Sequence, residues 1–269
     1  MKFPLITITI CTFNGELYLA DTIESVLKQS YPNIEIVIVD DGSTDSTLSI
    51  IKKYQKRDSR IRFFVKSNRG LPATRNFSFK QAHGEWIAII DQDDLCYPER
   101  LMKQFKVTRK FPSASLIFCN TDYINEKGKK IGNHLLSFSL PKLLIVKDLA
   151  ANLLLTKGCY VDSEACFIRT ALVNRIGLLD ESLKYACDYE YFIRAGFESD
   201  FAYTSETLSA WRIHPNQESV KNKNRFREYR LVLMRYIFHP RVKLLMRFII
   251  LFTLFRSYFG QIYRMIKRA

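Results

Sequence analysis

Three acids stand within four residues at Asp91-Gln92-Asp93-Asp94, directly after the apolar run Trp86–Ile90. Carboxylates at that density cannot be buried unpaired, so they face water, cations or both. At a strand end they form a hard-oxygen site suited to Mg²⁺ or Mn²⁺, completed by substrate phosphates. Read alone, the cluster is equally a solvated acidic turn capping the helix that starts after Pro98. A second cluster, Val39-Asp40-Asp41-Gly42-Ser43-Thr44-Asp45, closes another apolar run. Asp40 and Asp41 can accept hydrogen bonds from a base N–H or from ribose hydroxyls, and Gly42 permits a sharp turn. A plain helix cap would need only Ser43 or Thr44. No G-x-G-x-x-G follows Leu5–Cys11 and no G-x-x-x-x-G-K-S/T occurs, which argues against a dinucleotide oxidoreductase or a P-loop ATPase.

The elements that must position these acids alternate in type. Leu5–Cys11, Ile34–Val39, Ile61–Val65, Trp86–Ile90 and Ser115–Cys119 read as strands. Glu16–Gln29, the stretch from Ser43 or Thr44 to about Tyr54, Pro72–Ala82 and Pro98–Lys110 read as helices. Repeated β-α units imply an α/β fold with a mainly parallel sheet and helices on both faces. Parallel strands end on one edge, so both acidic clusters can line one crevice there. Further on, Asn125–Lys130 reads as a hairpin turn, Ser163–Ile168 and Leu208–Ile213 as strands, and Tyr189–Phe197 as a helix. From about Phe226 the pattern is helical, with a break at His239-Pro240.

Charge is unevenly spread. Residues 1–220 hold 28 Lys+Arg against 26 Asp+Glu, whereas residues 221–269 hold 13 against the single acid Glu228. The net charge of +14 is therefore a property of one tail, and it predicts docking to an anionic surface rather than nucleic-acid binding. Within the tail, Phe248–Phe255 is apolar save for Thr253, too short to span a bilayer. Its basic flanks fit a helix lying at a membrane surface, with packing on the body or on a partner subunit as the plain alternative. The expected organisation is a body at 1–220 and a basic amphipathic tail at 221–269. The six cysteines lack a C-x-x-C pair and only four histidines accompany them, so buried free thiols are expected rather than zinc. Reduced thiols and an N-terminus without a signal pattern predict a cytoplasmic chain at the inner face of the membrane.

The ordered set ITICTFN, VDDGSTD, SNRGLPATRN, GEWIAIIDQDD, GLLDESLKYACDYEYFIR and WRIHPNQES resembles the family 2 glycosyltransferases, which have the GT-A fold. The resemblance runs through most of residues 5–220. It implies that Thr12, Asn14, Asp40, Asp41, Arg75 and Asp91 bind the donor nucleotide. It implies a DXD-type pair in Asp91 and Asp93, with Asp93 and His214 as metal ligands, and an RxH element in Arg212 and His214. Arg212, Asp94 and Glu190 fall on the diphosphate or acceptor side. Asp188 matches the Asp of a Glu-Asp catalytic pair whose Glu is Cys187 here, a departure that touches acceptor contacts and leaves the base in place. The absence of Q-x-x-R-W implies single additions rather than polymerisation.

The resemblance thus implies an inverting, Mn²⁺- or Mg²⁺-dependent transferase that uses a nucleotide diphosphate sugar, most commonly a UDP-sugar. Its acceptor would be a saccharide or lipid-linked hydroxyl, as in bacterial surface polysaccharide assembly. A sugar-phosphate nucleotidyltransferase would share the sheet and the metal, but Thr12–Glu16 supplies only Gly15 for a triphosphate loop. A non-enzymatic membrane- or nucleic-acid-binding module would leave the acidic clusters without a purpose.

Overall fold

The computed structural model describes residues 3–134, 143–217 and 225–266. The first half follows the predicted alternation: β1 (Ile6–Thr12), α1 (Leu19–Leu27), β2 (Ile34–Asp40), α2 (Thr47–Arg57), β3 (Ile61–Val65), α3 (Leu71–Gln81) and β4 (Trp86–Asp91). A short β5 (Leu95–Cys96) precedes α4 (Arg100–Lys110) and the long β6 (Ala114–Ile124). β1 and β2 are buried at every position. Runs such as Ile6–Cys11 and Ile34–Val39 suit strands covered on both faces.

The second half contains β7 (Lys130–His134), β8 (Leu144–Ile145), α5 (Leu149–Lys157), a 3₁₀ turn at Ser163–Ala165, β9 (Phe167–Arg169) and α6 (Thr170–Ile176). Then come α7 (Cys187–Glu198), β10 (Asp200–Arg212), α8 (Arg225–Tyr236) and α9 (Leu244–Ile266). The strand expected over Ser163–Ile168 is thus split, because a turn lifts Glu164 out of the sheet. The late strand begins eight residues earlier than its apolar pattern suggests, because Asp200–Thr207 pairs with β6 along a partly polar stretch.

The sheet runs β3-β2-β1-β4-β9-β6-β10-β5, with β7 added to β6 and β8 to β10. β1 to β4 are mutually parallel where they pair, as are β6 and β10. β9 is antiparallel to both β4 and β6 and joins the two parallel halves. One buried cluster packs α1, α2 and α4 on one face through Ile23, Ile51 and Phe105. The other packs α3 and α5 to α9 on the opposite face, through Phe79, Leu154, Phe192, Val232 and Ile250. The tail helices therefore share a core with the body. The predicted boundary at 220/221 and the last basic residues of the tail lie outside the described residues.

Candidate active site

Strand register brings the two acidic clusters together. Thr12 pairs with Asp40 and Cys11 with Asp91, so the carboxyl ends of β2, β1 and β4 form one row. The loops that follow are tied to each other. The Asn14 side-chain oxygen accepts from the Thr44 amide at 2.9 Å, and the Ser43 hydroxyl accepts from the Asn14 amide at 2.9 Å. Asn14 has φ +49°, the left-handed conformation that Asn tolerates. The Gln92 side-chain oxygen accepts from the Thr12 hydroxyl at 2.6 Å and from the Phe13 amide at 2.9 Å. Gln92 thereby clamps the β1 loop to the β4 loop. A Cβ on Gly15 would stand 2.4 Å from Gln92 Oε1, so the clamp requires glycine there.

Asp40 and Asp41 are both buried but serve different ends. Asp40 caps its own turn, accepting from the Ser43 amide at 3.2 Å and from the Ser43 hydroxyl. Asp41 pairs with Lys66 and accepts from the backbone amides of Arg69 at 3.1 Å and Gly70 at 2.8 Å. Of the two, Asp41 thus ties the end of β2 to the SNRG loop, and Asp40 stiffens its own turn.

Arg75, on α3, is the centre of the site. Its guanidinium donates to Asp188 Oδ1 and to Asp91 Oδ1, each at 2.5 Å, and its side chain is 1% exposed while Asp91 and Asp188 keep 30% and 26%. Nε of Arg75 has no hydrogen-bond partner among the described residues. Burial opposes the charge, but the two carboxylates outweigh it and hold Arg75 well above its usual pKa. Asp91 is pushed upward by burial, with Arg75 opposing and Asp188 and Asp93 adding to the rise.

His214 and Asp93 also meet: Nε2 lies 2.8 Å from Asp93 Oδ2, and Nδ1 is buried without a partner among the described residues. Tyr18 packs its ring 4.9 Å from that of His214 and 4.7 Å from the Arg212 guanidinium. Nothing in the sequence marked Tyr18 for this role; its place on the first turn before α1 was the sole hint.

Arg212, expected on the diphosphate or acceptor side, lies among the loops. It is 1% exposed, and its fork donates to Asp93 O at 2.8 Å, to Glu126 O at 2.9 Å and to Asp21 at 3.2 Å. It fastens the DQDD loop to the β6–β7 hairpin and to α1. Asp94 is likewise inside, accepting from the Arg212 amide at 2.8 Å. Glu190 turns away from the acids. It pairs with Arg194 at 2.9 Å and accepts from the Tyr236 hydroxyl of α8 at 2.7 Å, because its position on α7 faces the tail helices.

Glu164 is the residue that sequence reading missed. It is 6% exposed, its Oε1 has no partner among the described residues, and single ligand atoms of Asp91, Asp94 and Glu164 lie within 4.8 Å of one another. Burial, with Asp93 and Glu164 beside Asp94 and with Asp162 and Asp91 beside Glu164, pushes both carboxyls well above the usual range. A lone Glu in VDSEAC carries no spacing signal. The crowded acids Asp91, Asp94 and Glu164, with an orphaned carboxyl oxygen, are a hard-oxygen donor set of the kind that suits a divalent ion. All six cysteines are free thiols, five of them buried, and burial raises Cys11 to about 11.

Residues 7–177 match the profile described as Glycosyl transferase family 2. An uncharacterized glycosyltransferase of Rickettsia typhi is 32% identical over 228 residues, covering 84% of this chain and 69% of that protein. Another, from Methanocaldococcus jannaschii, is 31% identical over 224 residues, covering 81% and 74%. The fold matches S. aureus TarS in complex with UDP-GlcNAc at TM-score 0.74 and 22% identity, over 95% of this chain and 72% of that one. It also matches the mannosyltransferase PcManGT of Pyrobaculum calidifontis, in complex with GDP-Man and Mn²⁺, at TM-score 0.64 and 17% identity, over 88% and 65%. The α/β sheet with helices on both faces is that of the GT-A glycosyltransferases, and the chain belongs to glycosyl transferase family 2.

Proposed function

We propose that this glycosyltransferase moves a sugar, with inversion, from a nucleotide diphosphate donor to a hydroxyl of a saccharide or lipid-linked acceptor, with Asp188 as the base. The observation that carries the reading is the Arg75 bridge. One buried guanidinium holds the donor-side acid Asp91 and the base Asp188, so both act at one crevice wall. Arg75 takes Oδ1 of Asp188 and leaves the other oxygen for a proton.

The acceptor O–H loses its proton to Asp188 as its oxygen attacks the anomeric carbon. The bond from that carbon to the diphosphate oxygen breaks, and its electron pair leaves with the diphosphate. Asp93 and His214, with Asp91 beside them, would hold a divalent ion, Mn²⁺ or Mg²⁺, which would supply positive charge to the leaving diphosphate. Thr12, Asn14 and Asp41 shape the nucleotide side; Asp40, Asp94 and Arg212 hold the loops that present it. A UDP-sugar is the favoured donor, in keeping with the UDP-GlcNAc complex of TarS. The acceptor belongs to surface polysaccharide assembly, at the cytoplasmic face of an anionic membrane bound through the basic tail.

Asp188→Asn is expected to lower UDP release from a UDP-sugar about 10²–10⁴-fold. UDP with Mn²⁺ should still raise its melting temperature as in the parent chain. Turnover within a factor of two of the parent would dismiss Asp188 as the base.

A further inference from the structure

The tail's single acid does something a docking device does not need. Glu228, in the first turn of α8, accepts from three successive backbone amides: Lys184 at 3.2 Å, Tyr185 at 2.6 Å and Ala186 at 2.9 Å. Those residues lead into α7, whose first residue is Cys187 and whose second is Asp188. Helix N-termini leave amides unsatisfied, and a helix usually supplies its own capping side chain. Ala186, at the cap position, has none to offer, and no side-chain cap is made. Glu228 instead ties down the amides of the turn before that helix, from another helix more than forty residues on.

The contact does not stand alone. Tyr229 packs its ring 4.9 Å from that of Tyr189, and Tyr236 donates to Glu190, so α8 lies along α7 from its first turn onward. The same approach segment is held from the body by Asn76, whose side chain donates to Leu179 O at 3.0 Å and accepts from the Leu179 amide at 2.8 Å. Asp188 is thus set by three anchors: Arg75 on its carboxylate, Asn76 upstream, and Glu228 at the turn directly before it.

We propose that Glu228 is a positioning residue for the transfer reaction, fixing the first turn of α7 so that Asp188 meets the acceptor hydroxyl. This rests on Asp188 being the base, and it makes the tail part of the catalytic apparatus. A base displaced by about 1 Å can cost on the order of 10²-fold in rate, so a loosened turn should be felt in kcat. Donor binding, on the β1–β4 edge, should not feel it.

The test compares Glu228→Ala, Glu228→Gln, Asp188→Asn and the double variants in the full chain, by UDP-release kinetics and by UDP–Mn²⁺ binding. Glu228→Ala is expected to lower kcat at least about tenfold with donor KM and UDP affinity within twofold. Glu228→Gln, which keeps one acceptor oxygen, should fall between it and the parent and serves as the readout if the Ala chain does not fold. In the Asp188→Asn background neither change should lower the residual rate further. An unchanged kcat in Glu228→Gln and in folded Glu228→Ala overturns the proposal while leaving the base intact. A loss confined to melting temperature, or one that multiplies fully with Asp188→Asn, overturns it as well. A fully active Asp188→Asn instead removes the base reading itself.

Discussion

At the scale of single residues, Arg75 decides most. Its guanidinium is enclosed, and only a planar fork can serve two carboxylates that lie on different elements. Removing it leaves Asp91 and Asp188 facing each other in a site already crowded with acids. Arg75→Ala is expected to cost about 3–5 kcal/mol of stability, the usual result of breaking a buried ion pair from one side. Arg75→Lys should recover less than half of that, since one ammonium cannot reach both partners; urea denaturation of the three chains checks this. The strand-end acids could be read from the sequence because two apolar runs of one parallel sheet stop in DQDD and DDGSTD, which sets both clusters on one edge. The bridge itself could not, because Arg75 and Asp188 are 113 positions apart. Glu164 was invisible for a related reason: its significance comes from burial, and burial was decided by the 3₁₀ turn.

At the scale of elements, the opposite end of the sheet is held by a knot around Glu35 on β2. Its carboxylate accepts from the Thr7 hydroxyl of β1 at 2.6 Å, from the His83 amide before β4 at 2.7 Å and from Arg62 of β3 at 2.8 Å. Burial acts to raise its pKa, but these hydrogen bonds outweigh it and leave it below the ordinary carboxylate value. A depressed folded pKa contributes stability that is whole above the unfolded value, about 4.3, and is lost as pH falls through the folded one. Glu35→Gln should therefore flatten the acid side of the stability–pH curve below about pH 4.3, measured by denaturant midpoints across that range. β1, β2 and β4 were legible as strands because β-branched runs buried on both faces have one reading. α5 was not: Leu149–Leu155 is apolar nearly all round, as befits a helix enclosed between α7 and α9, so it shows no amphipathic stripe. α6, seven residues long, is too short for one.

At the scale of the whole molecule, α9 presents two unlike faces. Ile250 and Leu254 enter the core with α5. The outward arc carries Leu244, Leu245, Phe248, Leu251, Phe252 and Phe255, each at least half exposed. Lys243 and Arg256 are exposed beside it. Among the described residues no helix is long and apolar enough to cross a membrane. An apolar face with basic flanks favours lying in a lipid headgroup layer. A second copy would bring two cationic tails together, which disfavours self-pairing. Replacing Phe248, Phe252 and Phe255 by Ser should lower binding to vesicles of 30% phosphatidylglycerol in phosphatidylcholine at least about tenfold, in sedimentation assays. Equal binding by that variant would reject the surface. Point changes are the right tool, because deleting the tail also strips Glu228 from α7.

The row formed by Val65, Asp40, Thr12 and Asp91 has a further consequence. Val65, Asp40 and Thr12 stand in register and Asp91 pairs one residue back, with Cys11, so the sheet edge works as a ruler graduated in steps of about 4.8 Å, some 14 Å from end to end. Anything laid along it meets the Asp41 corner after β2 and the DQDD corner after β4, two graduations apart. Lengthening a loop between these strands leaves the graduations intact, whereas one residue gained or lost inside β1 would turn alternate side chains to the wrong face and erase the scale.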